Sequence, residues 1–557
     1  MLILYGYWLA SVVGCGYPVA SASLFRSELG DQVADICDRT LGRIWSWCQS
    51  MRLGVRVLGV WRIGLLGALG ALAGALVLVA TRRYGINISP DSTYYLAAAR
   101  GVVRGDGVVG LNGAPLSLFP PALPWVLAGA AAVGDPVTVA RWFNAVLFGT
   151  SVFGVGLFLA ARIRFWLAVG VAAALALSSS LLTVYLWLWS EPVYIAVSLV
   201  YLAVLVRIAG AARAGRIAIV VCGVLAGAAT LTRYSGISLL PVAAVVLVGR
   251  SLPWRKKVGD VLVFGISFAC VALPWFVRNA VITGYPVGGR FSNEQSPVQI
   301  LLEAVKGVIA WVVPDSAPWL VQGLLSVLTA GVIVVVVWAF VRSWSTPSDR
   351  RVIVLAVAAI SVLSAFTALY LIKVQITLDP LRGRLLAPLL PPALAAVGAG
   401  VDLAMDRLRR SAGITLACVA GLVFAGNALF SPPGKVSATY YGHGLNTPKF
   451  ANAETRELVA ALPARSTVFS NLPDRVSYFS DGRPVEEPSL HHHASDIPHD
   501  IARLSDALGN GPVYLVWFDG NGDHIPAAAL AHNFHLNEER RTNAGVVFSV
   551  AKLKNMG

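Results

Sequence analysis

Ile63-Gly64-Leu65-Leu66-Gly67-Ala68-Leu69-Gly70-Ala71-Leu72-Ala73-Gly74-Ala75-Leu76-Val77-Leu78-Val79-Ala80 runs for eighteen residues without a charged or hydrogen-bonding side chain. As an α-helix it is about 27 Å long, close to the roughly 30 Å hydrocarbon thickness of a bilayer. Helical form is required there, because unpaired backbone N–H and C=O groups are too costly to leave in lipid. Ten further stretches read the same way, at 139–160, 166–182, 192–206, 217–230, 237–248, 261–275, 324–340, 353–371, 385–401 and 414–430, so about eleven transmembrane helices are expected. Hydrophobic residues make up 56% of the chain and charged residues 13%, against about 45–50% and about 25% in a soluble domain. The apolar surplus exceeds what one core buries and must face lipid, which excludes a water-soluble enzyme.

The stretch 120–133 is apolar but short, and it opens with Pro120 and Pro121. Loop charge decides its role. If it lies along the interface, Arg162 and Arg164, Arg207 with Arg213 and Arg216, Arg250 and Arg255 to Lys257, Arg342 with Arg350 and Arg351, and Arg407 with Arg409 and Arg410 all share the face of Arg52, Arg56 and Arg62. Basic loops mark the cytoplasmic side. If it spans, they land on the opposite face, against that bias. The stretch 120–133 is therefore read as an interfacial helix, and the loops 84–119 and 280–319 and the region from residue 431 are expected to face outward.

Three regions follow: a transmembrane domain at 60–430, a soluble extracytoplasmic domain at 431–557, and a segment at 1–59 whose apolar start without a basic flank fits a signal peptide, an extra helix or an over-long gene start. In the C-terminal region short apolar runs at 467–470, 513–518 and 546–550 alternate with an amphipathic stretch near 454–462. This pattern predicts a small α/β domain.

A net charge of +15 would suggest nucleic acid in a soluble protein. Beyond residue 430, however, 11 basic residues face 13 acidic ones, so the basic excess sits in the short loops of the membrane part, and no nucleic-acid partner is expected. The six cysteines have no paired spacing, which argues against both a disulfide framework and a zinc site.

All eight histidines lie beyond residue 430, so a general base in the membrane part is a carboxylate or a hydroxyl network. The outward-facing acids reduce to Asp91, Asp106, Asp135, Glu191, Glu294, Glu303, Asp315 and Asp379. A carboxylate near the membrane is costly unless solvated or paired, so each is a functional candidate, with plain hydration at the interface as the competing role. Asp91 stands out in Ser89-Pro90-Asp91-Ser92-Thr93-Tyr94-Tyr95, just beyond the first span, where its competing role is a helix N-cap. Outside arginines run against the positive-inside bias and ask for an anionic partner such as a lipid phosphate, with snorkelling to headgroups as the alternative. They are Arg233 in Leu231-Thr232-Arg233-Tyr234, Arg278 after Pro274-Trp275, and Arg382 and Arg384 in a short outer loop. The run His491-His492-His493 does not have the spacing of a metal site.

Taken in order, these motifs resemble the membrane-embedded glycosyltransferases of the GT-C class, in particular bacterial relatives of the protein mannosyltransferases, the lipid A aminoarabinose transferase and the RgtA/B/C/D-like group. The resemblance covers about 63–401. Its pieces are the segment at Pro90-Asp91, Gly105-Asp106-Gly107, Phe119-Pro120-Pro121, Ser190-Glu191-Pro192, Leu231-Thr232-Arg233-Tyr234-Ser235-Gly236, Pro274-Trp275-Phe276-Val277-Arg278-Asn279, Gly284-Tyr285-Pro286 and Arg384-Leu385-Leu386-Ala387-Pro388. The resemblance implies a GT-C-like fold with interfacial helices in the first outer loop. It also implies transfer of a sugar from a polyprenyl-phosphate donor to an envelope glycan, lipid or protein acceptor outside the bacterial inner membrane. Asp91 would be the general base of an inverting reaction, with Asp106 and Glu191 as second-carboxylate candidates. Arg278, Arg382 and Arg384, with Arg233 and Lys373 behind them, would hold the leaving phosphate. Many relatives carry an acidic pair at the first position, whereas Ser92 follows Asp91 here. That departure puts a metal bridged by adjacent carboxylates in doubt; a divalent metal stays open and no cofactor is assigned.

Rival readings are a secondary transporter, which should carry ionisable residues near the bilayer midplane and repeated halves, a lipid-carrier oligosaccharide polymerase or ligase, and a catalytically silent membrane partner. The charged residues here lie at the ends of the apolar stretches, and no internal repeat is found.

Overall fold

The computed structural model describes residues 59–552, apart from 213, 290–291, 314–317, 344–348, 382, 431, 443, 449, 488–496 and 520–529. The segment 1–58, Arg382, Asp315 and the run His491 to His493 lie outside the described residues. The membrane part opens with α1 (Val60–Ala80), α2 (Pro90–Arg104), α3 (Ala122–Ala131), α4 (Pro136–Ala160), α5 (Phe165–Ala176), α6 (Ser179–Tyr185), α7 (Glu191–Gly210) and α8 (Arg216–Thr232). It continues with α9 (Leu239–Gly249), α10 (Trp254–Thr283), α11 (Pro297–Ile309), α12 (Trp319–Ser343), α13 (Arg350–Gln375), α14 (Leu390–Arg407) and α15 (Arg410–Phe430).

Among the described residues, seven helices are long and apolar enough to cross a membrane, eight if α5 and α6 form one span bent by 54°. The sequence reads 166–182 as one straight helix. Ser178 breaks it instead, because its hydroxyl accepts from the Leu181 N–H and starts a new helix. The other expected spans correspond to shorter apolar helices, α8, α9 with the 3-10 turn before it, and α15. Helix α3 has ten residues. It reaches about 15 Å, half the hydrocarbon thickness, and lies against α2 and α4. The chain is a multi-pass membrane protein.

Small residues let the helices approach closely, the usual solution in lipid, where the hydrophobic effect does not drive helices together. On α1 and α4, a Cβ added at Gly70 would stand 2.7 Å from the Gly149 carbonyl oxygen, and one at Gly149 would stand 2.8 Å from that of Gly70. Gly149→Val therefore has to push two backbones apart. Overpacking of this kind costs about 1–3 kcal/mol, and a lowered thermal midpoint of the detergent-purified protein is the expected readout.

Charges cluster at the helix ends. Arg164 pairs with Asp402 at 2.7 Å and Asp406 at 2.5 Å, while Arg351 pairs with Asp349 at 2.7 Å and reaches Asp402 and Asp406 as well. This network ties the loop after α4, the start of α13 and the end of α14 together on the face of the basic loops.

The C-terminal region forms α16 (Pro432–Tyr441), α17 (Ala453–Ala460), β1 (Thr467–Ser470), α18 (Pro473–Phe479), α19 (Ile497–Asn510), β2 (Val513–Phe518), β3 (Phe534–Thr542) and β4 (Gly545–Lys552). Its sheet has the order β1-β2-β4-β3, with β1 parallel to β2 and the other pairs antiparallel. Its core gathers Val468, Val516, Phe518 and Val547 with Leu458 of α17 and Val476 of α18. The sheet region is fastened to the segment 84–119 that follows α1. The Val485 N–H donates to the Leu111 carbonyl at 2.8 Å, Leu445 N–H donates to Ile88 at 2.9 Å, and Asn446 Nδ2 donates to Ile86 at 2.8 Å.

Candidate active site

Asp91 sits in the first turn of α2. The cap is Ser89 rather than Asp91: its hydroxyl accepts from the Ser92 N–H, and the Ser92 hydroxyl accepts from the Ser89 N–H. Pro90 fills the first helical position, where a missing N–H costs nothing. With the cap supplied by two serines, the Asp91 carboxylate turns to the neighbouring elements. Ser92 is fully buried and donates to the Leu188 carbonyl at 2.9 Å, so the position of the missing second acid points into the packing.

A short backbone bridge brings a second carboxylate beside the first. The Asn87 N–H donates to the Leu186 carbonyl and the Leu188 N–H donates to that of Asn87, both at 3.0 Å. This bridge sets the start of α2 against the start of α7, and α7 opens with Glu191. Asn144 of α4 holds the same turn by donating to the carbonyls of Tyr185 and Trp187, each at 3.0 Å.

Arg384 joins the two acids. It forms a short ion pair with Asp91, and its Nε lies 3.4 Å from Glu191 and 3.2 Å from Asp379. Arg233, at the end of α8, reaches Glu191 at 2.5 Å and donates to the Ser190 hydroxyl at 3.3 Å. The Arg384 guanidinium also lies 4.5 Å from the Trp189 ring centre, a cation–π contact. Trp189 is stacked on Trp187 and donates its Nε1–H to the Ser89 hydroxyl at 2.8 Å. Glu191 is fully buried, while the Asp91 and Asp379 side chains are 27% and 56% exposed. A buried carboxylate survives only when paired, and Glu191 has two arginines and the start of a helix to hold it. Burial disfavours the Arg384 charge, but Glu191, Asp91 and Asp379 outweigh it and push the guanidinium above its ordinary value.

The other residues singled out in the sequence lie elsewhere. Asp106 follows the far end of α2 and pairs with Arg104 at 3.0 Å. Thirteen helical steps separate Asp91 from the helix end at Arg104, so Asp106 lies roughly 20 Å from Asp91 along the axis. Arg278 donates to the carbonyls of Leu116 at 2.9 Å and Val108 at 3.2 Å, so it braces the loop between α2 and α3. Asn279 and Trp275 support the same brace, since both donate to the Tyr234 hydroxyl, which donates to the Ser117 carbonyl. Lys373 is buried and donates to the carbonyls of Leu378 at 2.7 Å and Asp379 at 3.2 Å, closing the turn that presents Asp379 to Arg384. Among the described residues no group of three or more His, Cys, Asp or Glu side chains is placed to hold a metal ion. The acids at this site are held by arginines instead.

The C-terminal region adds acids above α2. Tyr94 is pushed above its ordinary value first by burial, then by the charges of Glu487, Asp474 and Asp91. Glu487 itself is pushed up to about 7 by burial, with Asp474 adding to the shift and Arg503 opposing it. A folded-state value above the ordinary 4.5 means that the folded chain holds a proton the unfolded chain releases. Stability is therefore lost as pH rises from about 4.5 to about 7. Glu487→Gln should remove that loss, gaining up to about 3 kcal/mol above pH 7 and nothing at pH 4. Thermal midpoints of both proteins at pH 4 and 8 check it.

The long apolar helices, the short helices α2 and α3 between them and the carboxylate–arginine cluster together define a class: the chain has the fold of the GT-C membrane glycosyltransferases. The model of the family described as dolichyl-phosphate-mannose-protein mannosyltransferase matches residues 119–275, the stretch that holds Glu191 and Arg233. Among solved structures the chain is similar to ArnT from Cupriavidus metallidurans bound to undecaprenyl phosphate, with 15% identity, 87% of this chain and 98% of that one covered, and a TM-score of 0.59. It is also similar to the oligosaccharyltransferase of Archaeoglobus fulgidus in its apo form, with 13% identity, 83% and 70% covered, and a TM-score of 0.52. No curated protein sequence matches significantly.

Proposed function

We propose that the chain transfers a sugar from a polyprenyl-phosphate donor to an acceptor hydroxyl of the cell envelope, a glycan, a lipid or a protein, on the outer face of the inner membrane. The observation that carries this reading is the cluster in which Asp91, at the start of α2, meets Glu191, Arg233 and Arg384 at the ends of three apolar segments. Its charge chemistry suits a phosphate leaving group beside a proton acceptor. The similarity to a transferase crystallised with undecaprenyl phosphate supports the donor class.

In the reaction the acceptor oxygen attacks the anomeric carbon, the bond from that carbon to the phosphate oxygen breaks, and the configuration inverts. Asp91 takes the acceptor proton. The leaving phosphate gains charge as the bond breaks, and Arg384 stabilises it, with Arg233 holding Glu191 in place beneath. Of the three acids on Arg384, Asp379 is the most exposed. It is the partner that a phosphate oxygen most readily replaces. Arg382 stands two residues away in the same outer loop and adds positive charge to it. Lys373 and Arg278 act at one remove, through the loops they brace. The orientation is supported by the basic loops, whose own face is expected in the cytoplasm and whose opposite face carries the cluster.

The test is to incubate the purified full-length protein with a panel of polyprenyl-phosphate sugars and envelope acceptors and to determine the anomeric configuration of any product. Transfer with inversion from one donor supports the reading. Retention would remove Asp91 as the base of a single displacement, and failure to use any donor would favour the silent-partner reading.

A further inference from the structure

Three helices of the membrane part each carry a stripe that ends in an arginine on the same face. On α4 the stripe is Thr150, Gly154 and Phe158, and one turn further stands Arg162. On α7 it is Ala196, Leu199, Val200 and Ala203, running into Arg207. On α13 Val354, Val357 and Ala358 lie one and two turns from Arg350. The spacing of three and four residues puts each set on one side of its helix. Together with Pro391, Pro392 and Ala395 of α14 these stripes line a cavity of about 420 Å³. Its hydroxyls are engaged within the protein: the Thr150 hydroxyl donates to the Val146 carbonyl at 2.7 Å, and the Ser151 hydroxyl accepts from the Tyr185 hydroxyl at 3.4 Å. Thr150 and Val200 are exposed, so the groove opens toward lipid.

We propose that this groove binds an anionic phospholipid of the leaflet at the basic-loop face, with one acyl chain against the three stripes and the headgroup phosphate among Arg162, Arg207 and Arg350. The inference needs only the membrane orientation used above, and not the sugar-transfer reaction. Length and charge both favour this occupant. Ala196 to Arg207 spans about 17 Å of helix, close to the roughly 15 Å depth of one leaflet's hydrocarbon. The end of the groove is electropositive. The Arg162 guanidinium lies 3.7 Å over the Phe158 ring and donates to the Phe158 carbonyl at 2.8 Å, which fixes it at the groove mouth. Burial and the charges of Arg207 and Arg350 hold it down to about 10. A phosphate among the three relieves that crowding. Among the described residues the acids of this face, Asp260, Asp349, Asp402 and Asp406, are engaged by Arg250, Arg164 and Arg351.

The experiment is native mass spectrometry of the full-length protein released from detergent after titration with dioleoyl phosphatidylglycerol, dioleoyl phosphatidylcholine or undecaprenyl phosphate. Two variants report on the two ends of the groove. Arg162→Gln with Arg207→Gln removes headgroup charge. Gly154→Leu fills the groove, and a Cβ added at Gly154 meets nothing within 4 Å, so the side chain enters open space. The expected result is one tightly held phosphatidylglycerol in the wild type. The double arginine variant should bind it about 30-fold more weakly, from about 1 kcal/mol for each basic side chain near the surface. Gly154→Leu should abolish binding of that one molecule, and phosphatidylcholine should bind no better than the double variant binds phosphatidylglycerol. Equal phosphatidylglycerol binding by wild type and both variants would overturn the proposal. So would phosphatidylcholine binding as tightly as phosphatidylglycerol. Displacement of phosphatidylglycerol by an equimolar amount of undecaprenyl phosphate would also overturn it, assigning the groove to the carrier lipid.

Discussion

Asp91→Asn is expected to lower turnover roughly 100-fold or more while leaving donor affinity unchanged or improved. The loss is the size associated with removing a general base. The split follows from the geometry. Asn keeps the shape of the side chain, and the cap of α2 rests on Ser89 and Ser92, so the helix start stays in place. Arg384 loses one of its three carboxylates and becomes freer to take a phosphate oxygen. A fall in kcat without a rise in KM is the signature of an interaction made in the transition state only. Steady-state kinetics alongside donor titration separates this outcome from a structural role, which would weaken both.

Arg384→Met should act on stability and on the reaction together. Glu191 is fully buried, and removing one of its two arginines leaves it facing Asp91 without the cation between them. Breaking a buried pair from one side costs about 3–5 kcal/mol. Because the same side chain is proposed to meet the leaving phosphate, donor binding should fall as well. Arg384→Lys restores a charge but not a planar fork that reaches several acids, so it should recover part of the stability and little of the turnover. A second substitution, Glu191→Gln, should recover stability in the Met background but not activity, because it removes the stranded charge. Non-additive thermal midpoints in that double-mutant cycle check the coupling.

Much of this site was legible because the chain marks it twice. Glu191, Arg233 and Arg384 each sit where an apolar stretch ends, Asp91 stands at a Ser-Pro helix start shortly after the first one, and the structure gathers all four into one cluster. The side chains around them were not legible in the same way. Asp379 stood in the list of outward acids with nothing to set it apart, since its contact with Arg384 depends on the turn that Lys373 closes. Trp187-Leu188-Trp189 immediately before Ser190-Glu191 was a usable signal for the aromatic floor under Arg384. Arg278 read as a phosphate ligand by its place beside Pro274 and Trp275. Its partners are the carbonyls of Leu116 and Val108, more than 160 residues away in sequence, and no local pattern reports such a contact.

In the fold, long apolar segments were the clearest feature, because hydropathy alone specifies them. The bend at Ser178 was hidden by the apolar residues on both sides of it. The strand β3, Phe534–Thr542, carries Glu538, Glu539, Arg540 and Arg541 and lies at the edge of the sheet. Charged edge strands resist pairing with other chains, and the same charge conceals them from a search for alternating apolar residues. Helix α11 in the loop between α10 and α12 escaped for a different reason. Its capping box of Ser296 and Gln299 was present in the sequence, but the segment is too short to stand out among the spans.

The most direct measurement is single-turnover release of polyprenyl phosphate from a bound polyprenyl-phosphate sugar, compared among wild type, Asp91→Asn and Asp106→Asn at matched donor occupancy. With Asp91 as the base at the Arg384 cluster and Asp106 past the far end of the helix, roughly 20 Å away, Asp91→Asn should be slower than wild type by roughly 100-fold or more and Asp106→Asn should match wild type. Full turnover by Asp91→Asn, or a loss confined to Asp106→Asn, would contradict the account.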